Sequence, residues 1–309
     1  MPKIIATYVS TATDAQPPAF NTPDNALGYD DLFRQIIRHG GQPVITYDAD
    51  NTYLGNGKFN QYWLAHLEGD DIVYDKHDSE IAVDILFDKN RFPHTDLKRI
   101  NPEKIRQICH DKYLTYLFAP DMSATSFLVN DQTHLCTLRA SHPNQRVVLK
   151  ELDGLGGEKV YIGSLSDFQN DFTFPLIFQE FVDTSAGFPG LAEGLHDLRV
   201  ALFNGQPIHG LLRYPAKPGE LRSNLHLGGV TKALFVSDIP PVVIKLAQEL
   251  DKRFETDEPR FFSVDFGYNG KEWKVFELNN APGIWSKQLF GDANDEYLNL
   301  LAQSLVDAA

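Results

Sequence analysis

Cysteine is scarce in this chain: two in 309 residues, Cys109 and Cys136. Neither belongs to a CxxC pair or a Cys/His cluster, so no cysteine-based metal centre is indicated. Both read as reduced, mostly buried small apolar residues, the usage of a cytoplasmic protein. No apolar run reaches the ~18 residues that a membrane helix needs. The first residues, MPKIIATYVS, run straight into a strand-like segment and lack the long apolar stretch of a signal peptide. Positive charge is also short, with 28 Lys and Arg against 42 Asp and Glu, a net charge of −14. So acidic a surface disfavours nonspecific contact with nucleic acid or anionic lipid. An anionic ligand would need its positive groups gathered locally. Internal repeats and low-complexity tracts are missing. No glycine fingerprint follows the first strand, and no G-K-[ST] opens a helix, which argues against dinucleotide and P-loop sites.

What is present is an ordinary globular composition, 42% hydrophobic and 23% charged, with length for two or three packed units. Ile4 to Val9 and Pro43 to Tyr47 read as strands. Between them lie a polar loop over 11–26 and a helix through Leu32, Phe33, Ile36 and Ile37, ended by Gly40-Gly41. Ile72 to Tyr74 and Ile81 to Phe87 are further strands of what reads as a parallel sheet covered by helices. Asn101-Pro102 reads as a helix cap and first turn, and Asp111-Lys112 opens a second helix to Phe118. Residues 123–130 are extended and 131–141 helical.

Three later stretches carry chemistry. In RVVLKELDGLGGEKVYIG, two strands flank Gly154, Gly156 and Gly157, with Lys150 and Lys159 on either side. Glycines allow close backbone approach and can present amides to an anion; a β-hairpin with a mobile glycine loop fits the same residues. Asp197 and Arg199 share one face of a strand whose other face is Leu198, Val200 and Leu202. A turn at Asn204-Gly205 returns the chain through Arg213, and Arg222 follows. Surface ion pairs would account for any one of these arginines, but three close together form the local positive charge that an acidic chain needs for an anion. Asp238 reads as the cap of a helix carrying Pro240, Pro241, Val243, Leu246, Ala247, Leu250 and Phe254. Last comes FFSVDFGYNGKEWKVFELNNAPG. It reads as two strands around a two-residue turn at Asn269-Gly270. Glu277 and Asn279, two apart, point the same way, and the hairpin brings Asp265 beside them. Two carboxylates and an amide oxygen suit Mg²⁺; a solvated face on an edge hairpin has the same pattern. A helix over Glu296 to Val306 closes the chain.

In this order the segments resemble the ATP-grasp superfamily, specifically its glutathione-synthetase and RimK-type ligases, over about residues 100–285. The residues that carry the resemblance are K-E-L-D-G-L-G-G at 150–157, D-L-R at 197–199, R-S-N-L-H-L-G-G at 222–229 and V-D-F…F-E-L-N-N-A-P-G. The resemblance implies an α/β (α+β ATP-grasp) fold. An N-terminal α/β domain (1–110) would precede a small lobe (111–190) and a large lobe (191–309), with nucleotide between the lobes. It implies that Lys112 and Lys150 hold ATP phosphates and that Gly154, Gly156 and Gly157 cover them. Gln179, Glu180, Phe181 and Val182 would form the adenine hinge, and Asp197 would lie near the nucleotide. Arg199, Arg213, Arg222 and Asn224 would face phosphate and the acyl intermediate. Asp265, Glu277 and Asn279 would hold Mg²⁺, two ions, with Mn²⁺ as an alternative. The activity implied is ATP-dependent carboxylate–amine ligation through an acyl phosphate, on small-molecule or peptide substrates, in the cytoplasm, with homo-oligomerisation left open. A small-molecule kinase on the same fold and a non-catalytic nucleotide- or peptide-binding module are the competing readings. Lys159 stands where the RimK type commonly has a further glycine, and the Arg213–Arg222 spacing differs slightly from that type. The segment from Ile284 to Gly291, with Trp285, matches neither subfamily and is the expected place for an acceptor pocket.

Overall fold

A computed structural model describes residues 1–10, 23–89, 92–152, 159–169, 171–217, 219–223, 228–254 and 257–309. The first part comprises β1 (Lys3–Tyr8), α1 (Pro23–Arg38), β2 (Gly41–Thr46), α2 (Ala49–Thr52), β3 (Tyr53–Gly55), β4 (Lys58–Phe59), β5 (Tyr62–Glu68), β6 (Asp71–His77), β7 (Ile81–Ala82) and β8 (Ile85–Phe87). Strands β6-β5-β2-β1-β8 form one sheet. Its centre is parallel, β1 running beside both β2 and β8, and the antiparallel hairpin β5–β6 extends one edge. The stretch Ile81 to Phe87 is therefore two short strands, and only β8 joins this sheet. Strands β3, β4 and β7 make a small separate one.

Next come α3 (Glu103–His110), α4 (Lys112–Phe118), β9 (Ser126–Val129), α5 (Gln132–Ser141), β10 (Arg146–Glu151), β11 (Val160–Ser164) and β12 (Leu176–Glu180). Asp111 ends α3 and caps α4, its carboxylate accepting from Tyr113 N and Leu114 N. The four strands form an antiparallel sheet, β11-β10-β12-β9. Alternation puts Val147 and Leu149 into its core and leaves Val148 and Lys150 on the opposite face.

The last part holds β13 (Asp197–Phe203), β14 (Gln206–Tyr214), β15 (Val230–Leu234), α6 (Pro241–Asp251), β16 (Phe261–Tyr268), β17 (Trp273–Asn279), α7 (Lys287–Phe290) and α8 (Asp292–Ala308). Its sheet is β15-β14-β13-β16-β17, antiparallel throughout. The back face, with Leu198, Val200, Leu202, Val264 and Leu278, buries against Val243, Ala247 and Leu250 of α6. On the front face, Ala201, Phe203 and Phe261 join Tyr297, Leu298 and Leu301 of α8 and the α1 side of the first sheet in one core. The C-terminal helix thus packs on the N-terminal unit, and it starts at Asp292, a turn earlier than the sequence pattern suggests.

Three local readings change. Asn101 caps no helix: it is buried with φ 65°, and α3 starts after Pro102. Its Nδ2 donates to Phe261 O (2.6 Å) and Asn280 O (2.8 Å), and its Oδ1 accepts from Phe261 N (2.7 Å). Asp238 lies in a 3₁₀ turn, and Pro240 occupies the cap of α6. The Asn269-Gly270 turn is a four-residue loop between Tyr268 and Trp273, because the Asn269 side chain accepts from Lys271 N and Glu272 N. Asn204-Gly205, by contrast, is a two-residue turn with both φ positive, 44° and 80°. Cys109 is buried, while Cys136 is exposed.

Candidate functional site

A cleft of about 970 Å³ opens between the second and third sheets. It is lined by Lys112 from the first turn of α4, Lys150 from β10, and Gln179 to Val182 at the end of β12. From the third sheet come Asp197, Arg213, Asp265, Glu277 and Asn279, and Arg222 closes one side. The structure therefore gathers nearly all of the described site residues in one place. Gly154, Gly156, Gly157 and Asn224 lie outside the described residues. Arg199 does not line the cleft; it sits behind Asp265.

The register explains the convergence. Asp265 pairs directly with Glu277 across β16–β17 and with Arg199 across β13–β16, while Asp197 pairs with Arg213 across β13–β14. Asp265 is buried and accepts from Arg199 through Nε (2.6 Å) and Nη2 (2.7 Å) and from Arg213 Nη2 (2.6 Å). Burial works to raise this carboxyl, but the two guanidiniums outweigh it and hold Asp265 well below the usual carboxylate range. Asp197, bonded to Arg213 Nε, shifts upward because burial dominates its single close partner. Arg222 is forked onto Glu220 (2.9 and 3.1 Å). The arginines expected to meet substrate phosphate are thus held by carboxylates in this state, which keeps buried guanidiniums paired.

Lys150 is buried, and its ammonium donates to Gln179 Oε1 (2.9 Å), while Gln179 Nε2 donates to Ser126 Oγ (3.1 Å). Burial lowers the lysine to about 8, against the opposing pull of Glu277 and with a further push from Lys112. A desolvated ammonium held by a neutral amide is well suited to accept a phosphate oxygen.

The other end of the cleft is apolar. Val148, Val160, Ile162, Leu195, Leu221 and Phe276 line it. The ladder of β12 stops at Glu180, so the backbones of Phe181 and Val182 lie beyond it, beside this slot. Strict alternation would turn Phe276 away from Glu277. A bulge between Asp265 and Phe266 places Val275 opposite Phe266, so Phe276 is the extra residue and joins Glu277 in the cleft. Its ring lies over Gly267, where a Cβ would come within 2.1 Å of it. Sequence reasoning missed these apolar walls. Val148 could have been found from its shared face with Lys150, and Val160 and Ile162 from their alternation. Leu195 and Leu221 come from loops and carry no periodic signal.

The donor set fits a hard divalent cation. Glu277 is half-buried and faces the cleft, its nearest cation being Arg199 Nη2 at 3.7 Å. Asn279 Nδ2 turns toward Glu277 Oε1 (3.3 Å), leaving the amide oxygen for other contacts. Among the described residues there is no cluster of three or more His, Cys, Asp and Glu. Two carboxylates and one amide match an ion whose remaining ligands are phosphate and water oxygens.

Ile284 to Gly291 lines neither this cleft nor the cavity beside Arg99 and Arg106. The chain around its start is tied down: Pro282 O accepts from Lys89 and Gly283 O from Tyr297, and within the segment Trp285 O accepts from Asn294. Helix α1 passes so close that a Cβ on Gly28 would lie 2.5 Å from Ile284 O.

The family model for the prokaryotic glutathione synthetase ATP-grasp domain matches residues 111–265. The glutathione synthetase of Yersinia pestis is 29% identical over 145 residues, 44% of this chain and 42% of that protein. That of Vibrio parahaemolyticus is 28% identical over 155 residues, 48% of this chain and 45% of that protein. The match therefore spans less than half the length of these relatives. Among solved structures, the ATP-grasp ligase PsnB complexed with minimal precursor superposes with a TM-score of 0.60 at 14% identity, covering 100% of this chain and 99% of that one. D-alanine–D-alanine ligase from Helicobacter pylori does so at 0.52 and 11%, covering 100% and 99%. The fold is that of the ATP-grasp ligases, and the chain belongs to the prokaryotic glutathione synthetase ATP-grasp domain family.

Proposed function

We propose that this protein is an ATP-dependent carboxylate–amine ligase acting on an amino-acid or peptide substrate and releasing ADP and phosphate. The observation that carries the reading is the polarity of one cleft. An apolar slot beside the hinge backbone leads to the buried Lys150 ammonium and then to Glu277 and Asn279. Adenine, phosphates and metal have that order along ATP. Asp265, Glu277 and Asn279 would hold Mg²⁺, two ions by the family resemblance, which offsets phosphate charge during transfer. Lys112 and Lys150 bind and orient the ATP phosphates. Arg213 and Arg222 exchange a carboxylate partner for phosphate as substrate enters, and Arg199 fixes Asp265 from behind.

The substrate carboxylate attacks the γ-phosphorus, ADP leaves, and the acyl phosphate so formed is attacked by the amine. The new amide bond forms as phosphate departs, and the amine loses its proton. Protein groups position the reactants and exclude water, which would otherwise hydrolyse the acyl phosphate. The same reading divides the chain near residues 110 and 190. Supporting that division, the first large sheet, the second and the third fall in successive spans. The amino-acid or peptide part of the reading draws its support from the likeness to glutathione synthetases, PsnB and D-alanine–D-alanine ligase.

An ADP-release screen over amino acids and short peptides with Mg²⁺ tests the proposal. ADP that appears only when acid and amine are both present supports it. A stable phosphorylated product formed without amine would select a kinase instead.

A further inference from the structure

A second cavity, of about 720 Å³, lies at the carboxyl end of β8, lined by Thr95, Arg99, Glu103, Arg106, His110 and Asn280 among others. Crevices at the carboxyl ends of parallel strands are where open α/β sheets take ligands. Arg99 stands beside β8 through a bridge to Leu86, and Asn280 follows directly on Asn279. The wall of this cavity is thus one residue from the proposed metal ligands.

Its charge is arranged for exchange. The Arg99 and Arg106 side chains are only 9% and 11% exposed. Arg106 Nη1 holds Asp88 (2.8 Å), a carboxylate with no side-chain exposure that also accepts from Phe92 N. Arg106 Nε faces Glu103 Oε2 at 3.9 Å, too far for a hydrogen bond. Arg99 Nη2 donates to Glu103 (3.2 Å), whose side chain is 57% exposed. Such an exposed pair contributes little. An incoming carboxylate could replace the exposed Glu103 on Arg99 Nη2 and keep that guanidinium paired. It would also come within reach of Arg106, whose Nε is only loosely paired with Glu103, and planar guanidiniums match a carboxylate in two-point geometry.

We propose, resting on the ligase reading, that this cavity binds a carboxylate of the amino-acid or peptide substrate through Arg99 and Arg106. The test uses the full chain and saturation-transfer NMR. The probes are the common amino acids and glycyl dipeptides, each as the free acid and as the C-terminal amide. Binding free acids should be preferred over their amides by about 10-fold or more. Arg99→Met should remove the preference, Arg99→Lys should keep part of it, and Lys150→Met should leave it intact. Glu103→Gln should tighten free-acid binding about 2-fold, a gain that a structural role would not produce. The assignment is overturned if no free acid binds, if the preference survives Arg99→Met, or if inorganic phosphate displaces the acids more effectively than they displace one another. The two readings separate cleanly. Acid preference with no ADP release from any acid–amine pair refutes the ligase and keeps the site. Turnover with an unchanged KM in Arg99→Met refutes the site and keeps the ligase.

Discussion

Lys150 is the residue where function and stability pull apart. Its folded value of about 8 lies below the ordinary 10.5 of lysine. The unfolded chain therefore binds the proton more tightly, so the charged form costs stability. That cost is fully present below about pH 8 and is relieved as pH rises toward the unfolded value. Lys150→Met should raise unfolding stability at pH 7 by about 1 to 3 kcal/mol and abolish ATP binding. Chemical denaturation and nucleotide titration on one preparation would check both. For the same reason ATP affinity of the wild-type protein should fall as pH rises past about 8, where the ammonium loses its proton. Asp265 and Glu277 should separate in the opposite sense. Asp265 is buried and holds two arginines, so Asp265→Asn should cost about 3 to 5 kcal/mol of stability as well as activity. Among the described residues, Glu277 has no ion pair shorter than 3.7 Å; Glu277→Gln should leave the melting temperature within a few degrees and remove turnover. Similar stability losses in both would contradict the separation.

Among the elements, the β16–β17 hairpin is held at its open end by one side chain. Asn101 spans Phe261 and Asn280 with three hydrogen bonds in a buried setting. Asn101→Ala should cost about 2 to 4 kcal/mol, because backbone groups would be left unpaired, and should raise the Mg²⁺ concentration needed for half-maximal activity. A variant as stable as wild type with unchanged Mg²⁺ dependence would show that the hairpin holds its own geometry. The same elements show what could be read in advance. Period-2 patterning put Asp197 with Arg199, and Glu277 with Asn279, on shared faces, with Arg213 and Asp265 on the partner strands, because register in a half-buried sheet leaves no freedom to slip. It could not place Phe276, since a bulge breaks the period. Nor could it identify Asn101, which precedes a proline like an ordinary cap while its partners lie 160 and 179 positions away. The Arg222–Glu220 fork was missed for a different reason: carboxylates that neutralise arginines in the absence of substrate leave no motif.

At the scale of the molecule, the cleft lies between two sheets with separate cores, while the first and last segments share a third. Nucleotide should therefore tie together units that are otherwise joined by few apolar contacts. At 100 times its dissociation constant, MgATP should raise unfolding stability by about 2.7 kcal/mol; a melting temperature unmoved by saturating MgATP would contradict binding in this cleft. The acidic whole, at −14, draws little on long-range attraction for its anionic substrates. Recognition falls to the paired cations inside the cleft, so affinity should depend on those residues far more than on ionic strength. The most direct test of ligase chemistry is to incubate the protein with MgATP, a productive acid from the ADP screen and hydroxylamine in place of the amine. An acyl phosphate predicts hydroxamate and ADP in equal amounts, both lost in Glu277→Gln. ADP without hydroxamate, or a phosphorylated product stable to hydroxylamine, would contradict it.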